Sequence, residues 1–197
     1  MNDAPIDLGP VADQVADLLD GIRDDQLSGP TPCDDYTLGA LLNHALGLSW
    51  VFTSAAKKQR GPHTDNPPQA PSPVVDPEWR TLLPSRLALL AEAWCDPEAW
   101  KGETTAGGVT LPAEVMGLVA LNEVAIHGWD LARAAGLPYR LPPEVIETLL
   151  AFDGQDADDQ AAREGVYAPV VPVPDGADPQ DRLIAITGRD PAWSPGS

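Results

Sequence analysis

The chain has 197 residues, of which 30 are acidic and 12 are Lys or Arg, and its formal net charge is −18. Nucleic acids and anionic membranes both require a positive protein surface, so this balance argues against binding to either. The length suits one domain with a single core, and no stretch approaches the roughly 20 apolar residues of a membrane-spanning helix.

Helical periodicity and prolines organise the first third of the chain. Apolar residues recur at helical spacing over about residues 7–24 and predict a first helix. After the prolines of SGPTPCDDY, Thr37 is a good N-cap for a second helix that runs to about residue 59. The stretch RGPHTDNPPQAPSPVVDP is expected to be irregular, because its prolines disfavour both helix and strand.

Two further long helices are predicted in the middle of the chain. The third runs from Pro77 to Trp94, with a break or restart at Pro84 as the alternative. KGETTAGGVTL is interpreted as a glycine-rich connection. The fourth helix begins near Pro112, a good first-turn proline, and ends before Gly136.

The elements predicted after the fourth helix are shorter. A fifth helix is expected at about residues 142–153, and one helical piece near Asp181–Thr187 interrupts a proline-rich, extended remainder. Four long amphipathic segments without a strand ladder predict an all-α helical bundle. We expect a single domain over residues 1–197, with the bundle at about 5–153 and a short extended C-terminal segment at 154–197.

The fourth helix places a carboxylate and an imidazole on an apolar face. Glu123 and His127 are one turn apart, so both side chains can meet one ligand. A lone buried carboxylate costs several kcal/mol unless it is paired, protonated or bound to a metal. Two explanations are therefore open: the two side chains hydrogen-bond each other, or they bind a metal ion.

His44, on the predicted inward face of the second helix, strengthens the metal explanation. Of the three histidines, only His63 falls in a loop, where we expect it to be exposed to solvent. Metal sites of helical bundles are built from inward side chains on facing helices. Two histidines and one carboxylate suit zinc, nickel or ferrous iron with open positions. The sequence thus predicts a site for a divalent metal ion at His44, Glu123 and His127, with zinc as the favoured ion.

Other polar and aromatic residues have plainer interpretations. Asp130, close to His127, either accepts a hydrogen bond from a ligand imidazole or ends the polar stripe of its helix. Trp50, Phe52 and Trp129 are expected to pack or to line a pocket.

The two cysteines, Cys33 and Cys95, have no metal-type spacing. We predict a structural role for Cys33, since no histidine is expected near it. The first residues, MNDAPIDLGP, lack a basic start followed by an apolar run, so no signal peptide is expected and we predict a cytoplasmic protein with reduced thiols.

A second apolar face of the fourth helix needs a cover. Leu118, Leu121 and Ala125 lie opposite the predicted metal face. The segment from Tyr167 onward is one candidate, and a second copy of the chain in a homodimer is the other.

Three stretches, TPCDDYTLGALLNHALG, NEVAIHGWDLARAAG and DRLIAITGRDPAW, together resemble an actinobacterial protein family. It is the family with a mycothiol-dependent maleylpyruvate isomerase-type N-terminal domain, within the DinB-like superfamily of four-helix bundles. The resemblance covers nearly the whole chain. It implies a DinB-like four-helix bundle, His44, Glu123 and His127 as metal ligands, and mycothiol as a cosubstrate.

The chain also departs from the isomerase that gives this family its name. That enzyme has an additional C-terminal domain, whereas a short proline-rich segment follows the bundle here. Its catalytic arginine has no matching motif in this sequence, and Arg80 and Arg86 on the third helix are the candidates.

The favoured hypothesis is a metal-dependent transferase or isomerase. A low-molecular-weight thiol would bind as a thiolate and attack a small electrophile. Arg80, Arg86, or Trp and Tyr donors would assist the electrophile. Two alternatives are a metal-binding bundle with a stress-response or regulatory role, and a metal-free scaffold in which Glu123 and His127 are a hydrogen-bonded pair.

Overall fold

Helices account for most of the regular structure. This computed structural model describes residues 6–67, 72, 74–157, 159–163 and 167–196. Within those ranges the helices are α1 (Gly9–Leu18), α2 (Leu38–Ala56), α3 (Pro62–Asp65), α4 (Trp79–Trp94), α5 (Ala113–Ala135), α6 (Pro143–Asp153), α7 (Gln160–Arg163) and α8 (Pro179–Ile186). The predicted all-α class is therefore confirmed in its broad form. None of the helices is both long and apolar enough to span a lipid bilayer.

The ends of the two site-bearing helices follow from local chemistry. The Thr37 hydroxyl accepts a hydrogen bond from the backbone N–H of Ala40 at 3.2 Å, which caps α2 as predicted. Gly136 ends α5 with a φ of 72°, a left-handed conformation that glycine adopts without strain. The predicted boundaries of α5 are confirmed.

Helix α4 does not break at its internal proline. It runs without interruption through Pro84, although a proline lacks the N–H that the preceding turn would bond. Leu83, Leu87 and Leu90 are all buried on this helix. Their packing holds the helix in one piece, so the alternative of a restart at Pro84 is wrong.

A β-hairpin occupies the segment that the sequence indicated as a glycine-rich connection. Strand β1 (Glu103–Ala106) pairs antiparallel with strand β2 (Val109–Pro112), with Thr105 opposite Thr110. Gly107 and Gly108 both have positive φ, 57° and 81°, which a two-residue hairpin turn requires. Each strand has only four residues, too few for an alternating pattern to stand out in the sequence.

One apolar core lies between four of the helices. Helix α2 packs against α4 and α5, and α1 packs against the same two helices from the other side. Helices α2 and α5 are thus adjacent, as a metal site shared by His44, Glu123 and His127 requires, and this adjacency positions the site.

The outer face of α5 is covered within the chain. Leu121 and Ala125 are fully buried, and Tyr139 donates its hydroxyl hydrogen to the Ala125 carbonyl at 3.1 Å. The Tyr167 hydroxyl lies 3.0 Å from the Asn122 Oδ1, so the C-terminal segment, one of the two candidates for this cover, contributes to it. Val170 remains exposed. A homodimer stays a prediction.

The loop between α2 and α4 contains one departure from expectation. Its predicted irregular stretch holds a single helical turn, α3, while residues 68–71 and 73 lie outside the described residues. His63 on that turn is half-buried, not exposed: its ring stacks on Trp50 at 4.1 Å, and its Nε2 lies 3.0 Å from the Ser54 hydroxyl.

Close packing at the start of α5 leads to a stability prediction. A Cβ added at Gly117 would lie 2.5 Å from the Trp100 ring, and that ring is held by a 2.8 Å hydrogen bond to the Trp94 carbonyl. Gly117→Ala should lower the free energy of unfolding by about 1–2 kcal/mol, because overpacking outweighs the gain in helix propensity. Equilibrium denaturation followed by circular dichroism measures the change.

The matched control is Gly47→Ala in α2. Apart from the neighbouring backbone of its own helix, no heavy atom of the described residues lies within 4 Å of a Cβ built at Gly47. This variant should therefore gain about 0.5–1 kcal/mol from helix propensity alone. A Gly117→Ala protein as stable as the Gly47→Ala protein would contradict the packing described here.

Candidate metal centre

Three side chains from two helices converge where α2 packs against α5. His44 comes from α2, and Glu123 and His127 come from α5. Their candidate ligand atoms all lie within 4.8 Å of one another. The Glu123 Oε2 is 3.3 Å from the His127 Nε2 and 3.7 Å from the His44 Nε2. The structure thus brings together all three residues that the sequence singled out.

The cluster is open to solvent on one side. The side chains of His44, His127 and Glu123 are 16%, 11% and 32% exposed. They are half-buried, which differs from the fully inward position expected from the helix periodicity. An open side gives a small molecule access to the cluster.

One atom of the cluster lacks a hydrogen-bond partner. The Glu123 Oε2 is buried and accepts no hydrogen bond from any residue that the structure describes, although two imidazole nitrogens flank it. An unsatisfied buried carboxylate oxygen is costly unless a cation compensates it. This orphaned oxygen and two nitrogens form a donor set that fits a divalent zinc, nickel or iron ion with an open position.

Asp130 fixes the orientation of the His127 ring. The His127 Nδ1 donates to the Asp130 Oδ2 at 2.9 Å, which turns Nε2 toward Glu123. Metal-binding imidazoles characteristically donate their other N–H to a carboxylate in this way. Of the two interpretations of Asp130, the contact favours the hydrogen-bond acceptor.

Arg189 closes the arrangement from the C-terminal segment. Its Nε and Nη2 donate to the two oxygens of Asp130 at 2.8 and 2.9 Å, and its Nη1 donates to the Thr187 carbonyl at 3.1 Å. Asp130 is completely buried, and a bidentate arginine satisfies a buried carboxylate well. Sequence reasoning missed Arg189, although it lies within the stretch DRLIAITGRDPAW.

The charges of the cluster shift the pKa values of its members. Burial opposes ionisation of Glu123, but His127 and His44 outweigh it and hold its pKa well below the usual range. Burial likewise opposes a charged His127, yet Asp130 and Glu123 raise its pKa to about 9. The pKa of Asp130 is lowered because Arg189 and His127 outweigh its burial. A metal ion would replace the proton that His127 otherwise carries.

A short loop before α2 brings Cys33 to the same place. The Cys33 Sγ lies within 4.8 Å of ligand atoms of His127 and Asp130, so the expectation that no histidine is near Cys33 is wrong. These residues are far apart in sequence, and only tertiary packing joins them. Burial raises the pKa of the Cys33 thiol to about 11, although the charge of Arg189 opposes the shift. The thiol is therefore protonated at neutral pH.

Tyr36 from the same loop packs on both histidines. Its ring centroid is 5.0 Å from that of His44 and 6.2 Å from that of His127. The two imidazoles themselves meet edge-on at 5.0 Å. Tyr36 is half-buried and forms one wall of the cluster.

The two candidate arginines of α4 make contacts elsewhere. Arg80 donates to the Ile22 carbonyl at 2.7 Å and pairs with Asp24. Arg86 donates to the Leu46 carbonyl at 2.8 Å. Across the described parts of the chain, neither arginine has a hydrogen bond or ion pair with the cluster.

The aromatic residues near the site divide into two groups. Phe52 and Trp129 are buried and pack in the core as expected. Trp50 is 51% exposed and stacks on His63.

A second polar cluster lies beside the first along α5. The Tyr167 hydroxyl is 2.9 Å from the Asp153 Oδ1 and 3.0 Å from the Asn122 Oδ1. One hydroxyl hydrogen cannot serve two acceptors, so a proton on Asp153 completes the network. Burial raises the pKa of Asp153 to about 6, against the hydrogen bonds from Tyr167 and Asn122.

The position of Asp130 predicts how metal affinity depends on it. Asp130→Asn should weaken zinc binding by about 10–100-fold, because the His127 ring loses its charged acceptor. Competition with a chromophoric chelator measures the affinity. Asp13→Asn, an equal change of charge at an exposed position of α1, is the control. Equal affinities of the two variants would show that Asp130 does not support the site.

The network at Asp153 predicts a pH dependence of stability. Its folded-state pKa of about 6 lies above the ordinary 3.8, so the folded protein binds this proton more tightly than the unfolded chain. The free energy of unfolding of the parent, minus that of the Asp153→Asn variant, should fall as the pH rises. The expected decrease is about 1 kcal/mol between pH 5 and 7. Urea denaturation of both proteins across this range tests the sign. A difference that stays constant or grows with pH would contradict it.

Comparisons with known proteins agree with this architecture. Two uncharacterized proteins, from two strains of Mycobacterium tuberculosis, are each 29% identical over 179 residues, covering 90% of this chain and 92% of the relative. The crystal structure of the mycothiol-dependent maleylpyruvate isomerase superposes with a TM-score of 0.58 at 22% identity. That of its variant with one histidine replaced by alanine gives 0.56 at 23%. Both cover 78% of this chain and 69% of the other, which shows a shared fold.

The family assignment rests on the sequence itself. The sequence model described as the mycothiol maleylpyruvate isomerase N-terminal domain matches residues 8–132, a range that contains His44, Glu123 and His127. This chain therefore belongs to the family of the mycothiol maleylpyruvate isomerase N-terminal domain.

Proposed function

We propose that this chain is a DinB-like four-helix-bundle enzyme that binds one divalent metal ion through His44, Glu123 and His127. The observation that carries the proposal is the orphaned Glu123 Oε2, buried between two imidazole nitrogens. A hydrogen-bonded pair of Glu123 and His127 alone would not leave that oxygen unsatisfied. Zinc suits this donor set best, and nickel and iron are the other candidates.

The cosubstrate that we propose is a low-molecular-weight thiol such as mycothiol. The matched family and the structurally similar isomerase are both named for mycothiol, which supports this choice. When bound, the metal supplies a Lewis acid that lowers the pKa of a thiol beside it. The thiolate then adds to a small electrophile in an isomerase or transferase reaction.

The chain's own groups favour an anionic thiolate at this place. Asp130 holds the His127 ring in one orientation, so the ring need not rotate before its Nε2 binds a metal ion. Arg189 balances the charge of Asp130. Once a metal ion replaced the His127 proton, Glu123 would be the remaining negative charge among these residues. A divalent cation would outweigh that single charge, so the occupied site would attract an anion despite the acidic chain.

Replacing His127 tests the metal proposal. His127→Ala should lower zinc affinity by several orders of magnitude, because two remaining ligands hold the ion poorly. Metal analysis of protein purified without a histidine tag measures occupancy, and mycothiol-dependent consumption of maleylpyruvate and other electrophiles measures activity. Activity should fall with metal occupancy and should not recover with excess thiol.

His63→Ala is the matched control for this experiment. His63 stacks on Trp50 and bonds Ser54, away from the cluster, so its loss should leave zinc content and activity unchanged. If His127→Ala keeps its zinc and activity but unfolds at a lower temperature, His127 is only a structural hydrogen-bonding partner. If zinc binds without any thiol-dependent turnover, the chain is a metal-binding protein and not this enzyme.

A further inference from the structure

The loop that carries Tyr36 is fixed before any ligand arrives. The buried Thr31 hydroxyl lies 2.9 Å from the Cys33 carbonyl and 3.0 Å from the Tyr36 carbonyl. The Tyr36 N–H donates to the Cys33 carbonyl at 2.9 Å, and Pro30 and Thr37 form a β-bridge across the loop. The Tyr36 ring is therefore held against His44 and His127 by its own backbone.

The Tyr36 hydroxyl differs from those of the other two tyrosines. Tyr139 donates to a carbonyl, and Tyr167 bonds Asn122 and Asp153. The Tyr36 hydroxyl makes no hydrogen bond to any described residue, although its ring is half-buried beside the cluster. A phenol in such a position is a donor that is ready for a ligand.

The Tyr36 side chain is a phenol, which carries its hydroxyl hydrogen at neutral pH. The group can therefore donate a hydrogen bond to an anion.

The nearby cations do not supply this donor. Arg80 and Arg86 bond backbone carbonyls outside the cluster. Arg189 directs its donors at Asp130 and the Thr187 carbonyl. Among the residues described, Tyr36 is thus an unengaged donor that packs directly on the two candidate ligands.

We propose that the Tyr36 hydroxyl donates a hydrogen bond to the oxyanion of the small electrophile, an α,β-unsaturated carbonyl compound, that reacts at this site. This inference rests on the proposed function. The thiolate sulfur forms a bond to the alkene carbon while the π electron pair moves onto the carbonyl oxygen, and Tyr36 donates to that enolate oxygen. After rotation about the former double bond, the electron pair returns, the C–S bond breaks and the thiolate leaves. The sequence consumes no proton and no oxidant.

A binding experiment tests Tyr36 separately from turnover. Oxalate, a planar analogue of an enolised 2-oxo acid, is titrated into the zinc-loaded parent, Tyr36→Phe and Tyr139→Phe proteins by calorimetry, with retained zinc verified afterwards. We expect Tyr36→Phe to bind oxalate at least about tenfold more weakly than the parent, the usual effect of losing a hydrogen bond to a charged group. Tyr139→Phe, which also loses a hydroxyl, should bind as the parent does.

The outcomes separate this inference from the proposed function. Equal oxalate affinity of the parent and Tyr36→Phe, or no binding to the zinc-loaded parent, overturns the role of Tyr36. Tyr36→Leu keeps an apolar side chain without any hydrogen-bond donor, and it should lose the same affinity if the Phe variant proves unstable. A parent without thiol-dependent turnover would contradict the proposed function, while the oxalate comparison would still decide whether Tyr36 binds oxyanions.

Discussion

A carboxylate oxygen without a donor is the constraint on which the rest of this site depends. The Glu123 Oε2 is buried between the imidazoles of His44 and His127 and, within the described part of the chain, accepts no hydrogen bond. Removing such a group from water costs free energy that packing alone does not return. A cation at this point would offset the cost. The adjacency of α2 and α5 matters because it is what brings the two imidazoles to the same oxygen.

The site also extends beyond the helices that carry its candidate ligands. Charges alternate in sign from Glu123 through His127 and Asp130 to Arg189, and each member contacts the next. Asp130, the fully buried member, therefore has a partner of opposite sign on each side. Because Arg189 belongs to the C-terminal segment, that segment is part of the site's architecture and not an appendage of the bundle.

The sequence predicts those features that depend on local patterns. The ends of helix α5 are predictable to within a residue because Pro112, at its N-cap, and Gly136 mark them. The i, i+4 spacing puts Glu123 and His127 on one face. His44 stands out because a histidine on an apolar face is unusual. The hairpin escapes prediction, since four-residue strands carry too little periodicity.

The remaining parts of the site are products of tertiary packing. Cys33, Tyr36 and Arg189 reach the cluster from loops whose course no local rule determines. Arg80 is a natural candidate for a catalytic cation because it lies on a long helix. Its guanidinium, however, donates a hydrogen bond to the Ile22 carbonyl, outside the cluster. Charged residues on helices are easy to notice in a sequence, whereas a loop arginine becomes meaningful only when its partner is known.

Anomalous diffraction tests the central claim most directly. Crystals of the protein incubated with zinc would be measured on both sides of the zinc absorption edge. We expect a single strong anomalous peak within about 2.0–2.2 Å of the His44 Nε2, the His127 Nε2 and a carboxylate oxygen of Glu123. A map in which these three side chains remain well ordered with no anomalous peak between them would contradict the claim that they form a metal site.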